Sequence, residues 1–156
     1  MIFKDVIEFQ RAIPKAFAAY GTALGAYREN DIIKWDLDSD FYIHESDFNE
    51  SVLEDAKKAG FKLVKKYGKD EGVQYVFYKR KKVDLWILYE GYYNCLWDGE
   101  PIRHEYPPEV IEVINVKLRD QTIRGLGEPY LTHVYGEWKT PVKKFDWRTD
   151  HKCAIG

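Results

Sequence analysis

Asp36, Asp38 and Asp40 occupy alternate positions in the stretch KWDLDSDFYIHESD, and Asp47 ends it with a fourth acid. Carboxylates this close repel one another and are tolerated mainly where a cation neutralises them, and an all-oxygen set suits hard ions such as Ca²⁺, Mg²⁺ or Mn²⁺. Two backbones compete for the pattern. In an EF-hand calcium loop the three alternating acids would fill the first three ligand positions and Asp47 the last. That loop needs a glycine at its sharp central turn, where this chain has Phe41, and a bidentate Glu at its end, where it has the shorter Asp47. The preceding NDIIKW also lacks the continuous apolar face of an entering helix. On a strand, by contrast, Asp36, Asp38 and Asp40 line one side while Leu37, Ser39 and Phe41 face the other. The strand reading prevails. Which of the three acids would hold a cation is left open by the residues themselves.

The elements that must position these acids follow from periodicity. Ile2, Phe3, Val6, Ile7, Phe9, Ile13, Phe17 and Ala18 recur at near-helical spacing, which predicts an amphipathic helix over 3–19 with Pro14 as a kink or break. Gly21-Thr22 and Gly25 then punctuate the chain, and 32–43 is rich in β-formers. A helix capped by Ser46 or Asp47 begins near Phe48 and stops at Gly60. Three β-rich runs, 61–67, 73–79 and 83–89, form an antiparallel meander with turns at GKDEG and KRKK. VINVKL and QTIRGL flank Arg119-Asp120 as a hairpin, and Glu128 to Tyr135 reads as a short helix. The tail GEWKTPVKKFDW is loop-like and aromatic, and no internal repeat or linker is visible.

With 156 residues, one core is expected, and the aromatic content argues against disorder. A formal charge of −2 gives no bulk attraction to nucleic acid or anionic lipid. Cys95 and Cys153 have neither zinc-ligand nor disulfide-framework spacing and read as two reduced thiols. Lys4, Asp5, Glu8 and Arg11 interrupt the apolar N-terminus, and no run approaches a membrane span, so a soluble, cytoplasmic protein is expected.

The segment YGTALGAYRENDIIKWDLDSDF resembles the signature of the LicD/fukutin family of nucleotidyltransferase-fold phosphotransferases. Two further blocks agree: KKVDLWIL is similar to the strand that supplies a third acid, here Asp84, and EPYLTHVYGEWKTP is similar to the family's C-terminal YLxxxYGxxWxxP element. The chain departs at Tyr20, where many members carry Gly, and at Ala23, Lys34 and Ser39, without losing a carboxylate. The resemblance implies a single α+β domain over 1–156, with the DNA polymerase β-like nucleotidyltransferase fold: a mixed or antiparallel sheet with helices packed on one side.

The resemblance further implies that Asp38, Asp40 and Asp84 are catalytic and hold Mg²⁺ or Mn²⁺, with Asp36 joining or only supporting them. Gly21 and Thr22 would contact phosphate, the first because a residue without a Cβ admits close approach and the second through its hydroxyl. Arg28 would clamp a phosphate, its alternative being a surface Arg. Trp35 reads as packing, its alternative being ligand-stacking beside the acids, and Tyr135, Gly136, Trp138 and Pro141 as a closure over the site with acceptor contacts. His133 is given no catalytic role, and Lys79 to Lys82 reads as a solvated turn, its alternative being contact with an anionic substrate.

The implied reaction is transfer of a phospho-alcohol, of the phosphocholine or ribitol-phosphate type, from a CDP-linked donor to a glycan hydroxyl. Rival readings are transfer of NMP from an NTP to a protein, nucleic acid or small molecule, and a non-catalytic metal- or glycan-binding module.

Overall fold

A computed structural model describes residues 2–70, 72–142, 151, 154 and 155. Helix α1 (Ile2–Ala12) stops short of Pro14, and the short strand β1 (Phe17–Ala18) takes over where the 3–19 helix was expected to continue. Proline, which lacks an N–H and clashes with the preceding turn, accounts for the break. Helix α2 (Tyr20–Glu29) ends at Asn30, which is left-handed with φ 56. Strand β2 (Asp38–His44) follows only after a turn in which the Asp36 amide donates to the Ile33 carbonyl. The expected strand over 32–43 is therefore shortened at its start, and Asp36 precedes it.

Phe41 lies in the middle of β2 with no solvent exposure, which excludes the calcium loop. Helix α3 (Glu50–Lys58) is capped by Asn49, whose side chain accepts from the Ser51 amide, in place of Ser46 or Asp47. It stops at Gly60, whose φ of +91 suits a residue without a Cβ. The meander forms as read, from β3 (Lys62–Tyr67), β4 (Gln74–Tyr78) and β5 (Lys82–Leu88). Next come the hairpins β6 (Tyr93–Asp98) with β7 (Glu100–Glu105) and β8 (Val113–Leu118) with β9 (Gln121–Leu126), then α4 (Glu128–Tyr135) and β10 (Ala154–Ile155).

The main sheet has the order β1-β2-β5-β4-β3, with β2 parallel to β5 and every other pair antiparallel. The chain is thus an α+β protein with a mixed sheet and four α-helices among the described residues. Successive strand residues face opposite sides, and both sides carry helices. Phe9 of α1 packs on Phe41 and Phe77 at ring separations of 4.9 and 5.6 Å, and on Phe61 after α3 at 5.1 Å. On the other face Tyr42 meets Tyr20 of α2 and Tyr130 of α4. The one-sided helical layer expected from the resemblance is corrected accordingly: both faces of this sheet are apolar or aromatic and both must be covered.

The KRKK turn is likewise no solvated run. Arg80 pairs with Asp5 at 2.7 Å and Glu8 at 2.8 Å, and Lys79 pairs with Glu8 at 2.7 Å, so these cations tie the β4–β5 turn to α1. Cys153 lies outside the described residues, as do residues 143–150 of the tail; Cys95 is half-buried. No helix among the described residues is long and apolar enough to cross a membrane.

Candidate active site

The parallel pairing of β2 with β5 builds the site. Its register places Asp38 beside Lys82 and Asp40 beside Asp84. Alternation then brings Asp38, Asp40, Lys82 and Asp84 to one face, while Phe41 and Leu85 enter the opposite core. Ligand oxygens of Asp38, Asp40 and Asp84 all lie within 4.8 Å of one another. Among the described residues this is the one cluster of acids, histidines or cysteines spaced to hold a metal ion. Asp36 is outside it.

The backbone that carries these acids is held rigidly. The Asp40 amide donates to Thr22 Oγ1 at 2.8 Å, and the Asp40 carbonyl accepts from the Ala19 amide at 2.9 Å. Thr22 is 2 % exposed and does not line the cleft, so the phosphate contact expected of its hydroxyl gives way to a positioning role: it joins α2 to the acid-bearing strand. Gly21 occupies the first turn of α2 rather than a free glycine turn. A Cβ there would come within 3.0 Å of Asp36 Oδ2, so the helix start and this carboxylate are close neighbours. Amides in the first turn of a helix have no intrahelical acceptor and favour anions.

Burial and mutual repulsion dominate the electrostatics. Burial, with the negative charges of Asp38, Asp84 and Asp36 added, pushes the Asp40 carboxyl well above its ordinary range. Asp84, 2 % exposed, is raised by burial to about 6, although the Lys82 ammonium and a 3.0 Å hydrogen bond from Gln74 Nε2 oppose the rise. Asp36 is pushed up to about 7, first by burial and then by Asp38 and Glu29. Lys82 Nζ lies 3.3 Å from Asp38 and 3.5 Å from Asp84. Burial disfavours its charge, but the pull of Asp84 and Asp38 prevails and holds it protonated. Sequence reasoning placed Lys82 in a solvated turn, with contact to an anionic substrate only as the lesser alternative, because it ends a basic run in which Lys79 and Arg80 pair with α1. Gln74, opposite Trp86 on β4, was missed, since an isolated Gln in a strand carries no signal.

The acids open into a cleft of about 700 Å³, bounded by α2 and Trp35 on the β2 side and by Val64, Lys65 and Tyr67 of β3 on the other. A smaller cavity of about 120 Å³ adjoins it, sharing Gly21, Trp35, Asp36 and Tyr135. Arg28 lies in this smaller cavity, away from the three acids, and its Nη1 donates to the Trp138 carbonyl at 3.0 Å. Trp35 is 39 % exposed and lines both cavities, so it is not the packing residue it was read to be. Trp138 is 9 % exposed, its Nε1 donates to Thr132 Oγ1, and with Tyr135 it walls the smaller cavity. Gly136 ends α4 at φ 70, and Pro141 is exposed. His133 bonds the Glu105 carbonyl.

Comparison with known proteins matches the chain to one family. The model described as LicD/FKTN/FKRP, nucleotidyltransferase domain, covers residues 15–114, which include Asp36, Asp38, Asp40 and Asp84 but not the C-terminal EPYLTHVYGEWKTP block. Ribitol-5-phosphate transferase FKTN of Mus musculus is 28% identical over 145 residues, 83% of this chain and 30% of the relative. The Homo sapiens protein of the same name is 28% identical over 144 residues, 82% of this chain and 30% of the relative. The chain thus spans less than a third of the length of these curated relatives. With the matched segment carrying the acid-bearing strands and the helix that braces them, the chain belongs to the LicD/FKTN/FKRP family.

Proposed function

We propose that this domain has the nucleotidyltransferase fold and transfers a phospho-alcohol from a CDP-linked donor to a glycan hydroxyl, with ribitol phosphate as the favoured cargo. The observation that carries the proposal is the convergence of Asp38, Asp40 and Asp84 at the floor of a cleft whose rim is the start of α2. The name of the relatives, ribitol-5-phosphate transferase, supports the choice of cargo.

Three carboxylates at this spacing, with Asp40 and Asp84 raised in pKa by burial and neighbouring acids, fit a hard divalent cation such as Mg²⁺ or Mn²⁺. Asp38, Asp40 and Asp84 would hold it, and when bound it supplies positive charge against the donor's diphosphate and the transferred phosphoryl group. The first-turn amides of α2 at Gly21 bind phosphate oxygens, and Lys82 adds a cation at the same face. Arg28 and Trp35 serve the nucleoside end. Asp84 accepts the proton of the acceptor hydroxyl. The acceptor oxygen forms its bond to the phosphorus that carries the alcohol, the bond from that phosphorus to the bridging oxygen breaks in line, and CMP leaves.

The deciding experiment incubates the protein and Mg²⁺ with CDP-ribitol, CDP-choline and a panel of NTPs, and identifies the released nucleotide. CMP release from a CDP-alcohol supports the proposal. Pyrophosphate released from an NTP, without CMP from either CDP-alcohol, replaces it with NMP transfer.

A further inference from the structure

We propose that the β3–β6 side of the cleft is the acceptor subsite, where Trp97 of β6 and the floor residue Trp86 of β5, its back packed on Tyr20 of α2, seat a carbohydrate ring with a hydroxyl directed at Asp84. The inference rests on the phosphotransferase reading above and assigns residues that the sequence blocks left aside. Trp86 and Trp97 both line the cleft, and neither Nε1–H has a hydrogen-bond partner among the described residues. Trp86 is only 6 % exposed. A folded chain rarely leaves a buried indole N–H unsatisfied without reason, and a ligand oxygen that reaches it would remove the cost.

Position supports the same conclusion. Trp86 follows Asp84 by two residues and so shares its face of β5, while Gln74, directly opposite Trp86, is the residue that holds the Asp84 carboxylate. The edge of Trp97 is fitted closely by the turn after β3: a Cβ at Gly68 or Gly72 would stand 3.2 or 3.5 Å from its Cζ2. Tyr67 and Lys65 continue the wall at the cleft's outer rim.

The reaction geometry then separates the two ends of the cleft. In an in-line displacement the attacking oxygen approaches opposite the leaving group. The sheet order puts α2, Gly21 and Asp36 toward β2 and puts β3 at the far edge, with the acids between on β2 and β5. A nucleotide leaving on the α2 side requires the acceptor on the β3–β6 side. An aromatic face beside a buried, unsatisfied N–H matches the C–H face and hydroxyl edge of a sugar.

The test measures two bindings on the same protein. Saturation-transfer NMR with methyl β-galactoside and methyl β-N-acetylglucosaminide, in the presence of Mg²⁺ and CMP, reports the acceptor side; the Mg²⁺-dependent thermal shift with CDP-ribitol reports the donor side. Trp97→Ala is expected to weaken saccharide binding about tenfold and to leave the CDP-ribitol shift unchanged. Trp97→Phe, which keeps a ring and removes the N–H, is expected to recover part of the loss, and Trp86→Phe to weaken saccharide binding with the fold intact. Equal loss of CDP-ribitol binding in Trp97→Ala would make the wall a nucleobase site and overturn the proposal, as would absence of saccharide binding to the unmodified protein. If the unmodified protein ignores CDP-ribitol while its saccharide binding still depends on Trp97, the donor assignment fails and the subsite stands.

Discussion

Replacing Asp84 with Asn should stabilise the metal-free protein, which is unusual for a buried residue held by a hydrogen bond. The Asp84 carboxyl is raised from 3.8 to about 6, and its neighbours' pulls, including that of Lys82, are already contained in that net rise. The sign follows: the folded state holds this proton more tightly than the unfolded chain, so above pH 6 ionised Asp84 costs stability, and below 3.8 the cost is gone. The difference between the two values, at about 1.36 kcal/mol per pH unit, gives a cost of about 3 kcal/mol at pH 8, falling to about half of that at pH 5. Asn keeps an oxygen to accept from Gln74 and carries no charge. Asp84→Asn should therefore melt about 6–12 °C above the unmodified protein at pH 8, at roughly 2–4 °C per kcal/mol for a chain of this size. The gap should narrow by about half at pH 5. Mg²⁺ nearly closes the gap at pH 8 and reverses the ranking at pH 5: at a hundredfold excess over its dissociation constant it should add about 2.7 kcal/mol to the unmodified protein and little to the variant. Scanning calorimetry with EDTA and with Mg²⁺ at both pH values reads all four cells. An Asp84→Asn protein no more stable than its parent in EDTA at pH 8, or one that keeps the full Mg²⁺ shift, would refute the reasoning.

Lys82→Met removes the tethered cation that pairs with Asp38 and Asp84; stability in EDTA should fall by about 1 kcal/mol, a value kept small by the side chain's exposure, while Mg²⁺ binds more tightly in a thermal-shift titration because nothing competes for the acids. Gly21→Ala places a Cβ 3.0 Å from Asp36 Oδ2; stability should change by less than about 1 kcal/mol, since Ala suits a helix, but CDP-ribitol affinity measured by calorimetric titration should drop about tenfold if the α2 start holds phosphate. His104, fully buried and held down to about 3 by burial with His151 and His133 adding to it, leaves the unfolded chain to take the proton first. Acid therefore destabilises the fold as pH drops below the ordinary value of 6.5, by about 2 kcal/mol at pH 5 from this one group. Urea unfolding at pH 7 and 5 should show that loss, and His104→Gln should flatten it.

How much of this was legible depends on whether the signal was local. Helix α4 and the β8–β9 hairpin announce themselves through short-range spacing and a turn at Arg119, whose φ of 56 matches a tight reversal, and both form as read. The acids were found because three in alternation cannot be neutral ornament. Their partner relationships were not: Asp40 meets Asp84 only through parallel pairing of strands forty-four residues apart, which no local period reports. Thr22 was misassigned because a hydroxyl beside a glycine reads as a ligand contact, whereas the fold spends it on the Asp40 amide. Trp35 and Trp86 show the same limit in reverse. One tryptophan beside the acids is half exposed, and the one embedded in an apolar run reaches the cleft floor.

Tyr20 shows how the chain absorbs a departure from its family. It stands where the resemblance leads Gly to be expected, and its φ is 42, in the left-handed region that Gly occupies without strain. A bulky residue there is costly unless its surroundings over-determine it. They do: its amide donates to the Tyr130 hydroxyl, its own hydroxyl contacts His104, Tyr106 and Asn94, and its ring lies against Trp86 and Tyr42. One side chain thus couples α2, α4, β2, β5, β6 and β7's continuation at a point one residue before Gly21. The strain sits at the start of the helix proposed to receive phosphate, and the network that holds it also packs the back of Trp86. Donor and acceptor sides of the cleft are therefore braced by the same buried cluster, so a substitution such as Tyr20→Gly should relax the backbone yet loosen both ends of the site together.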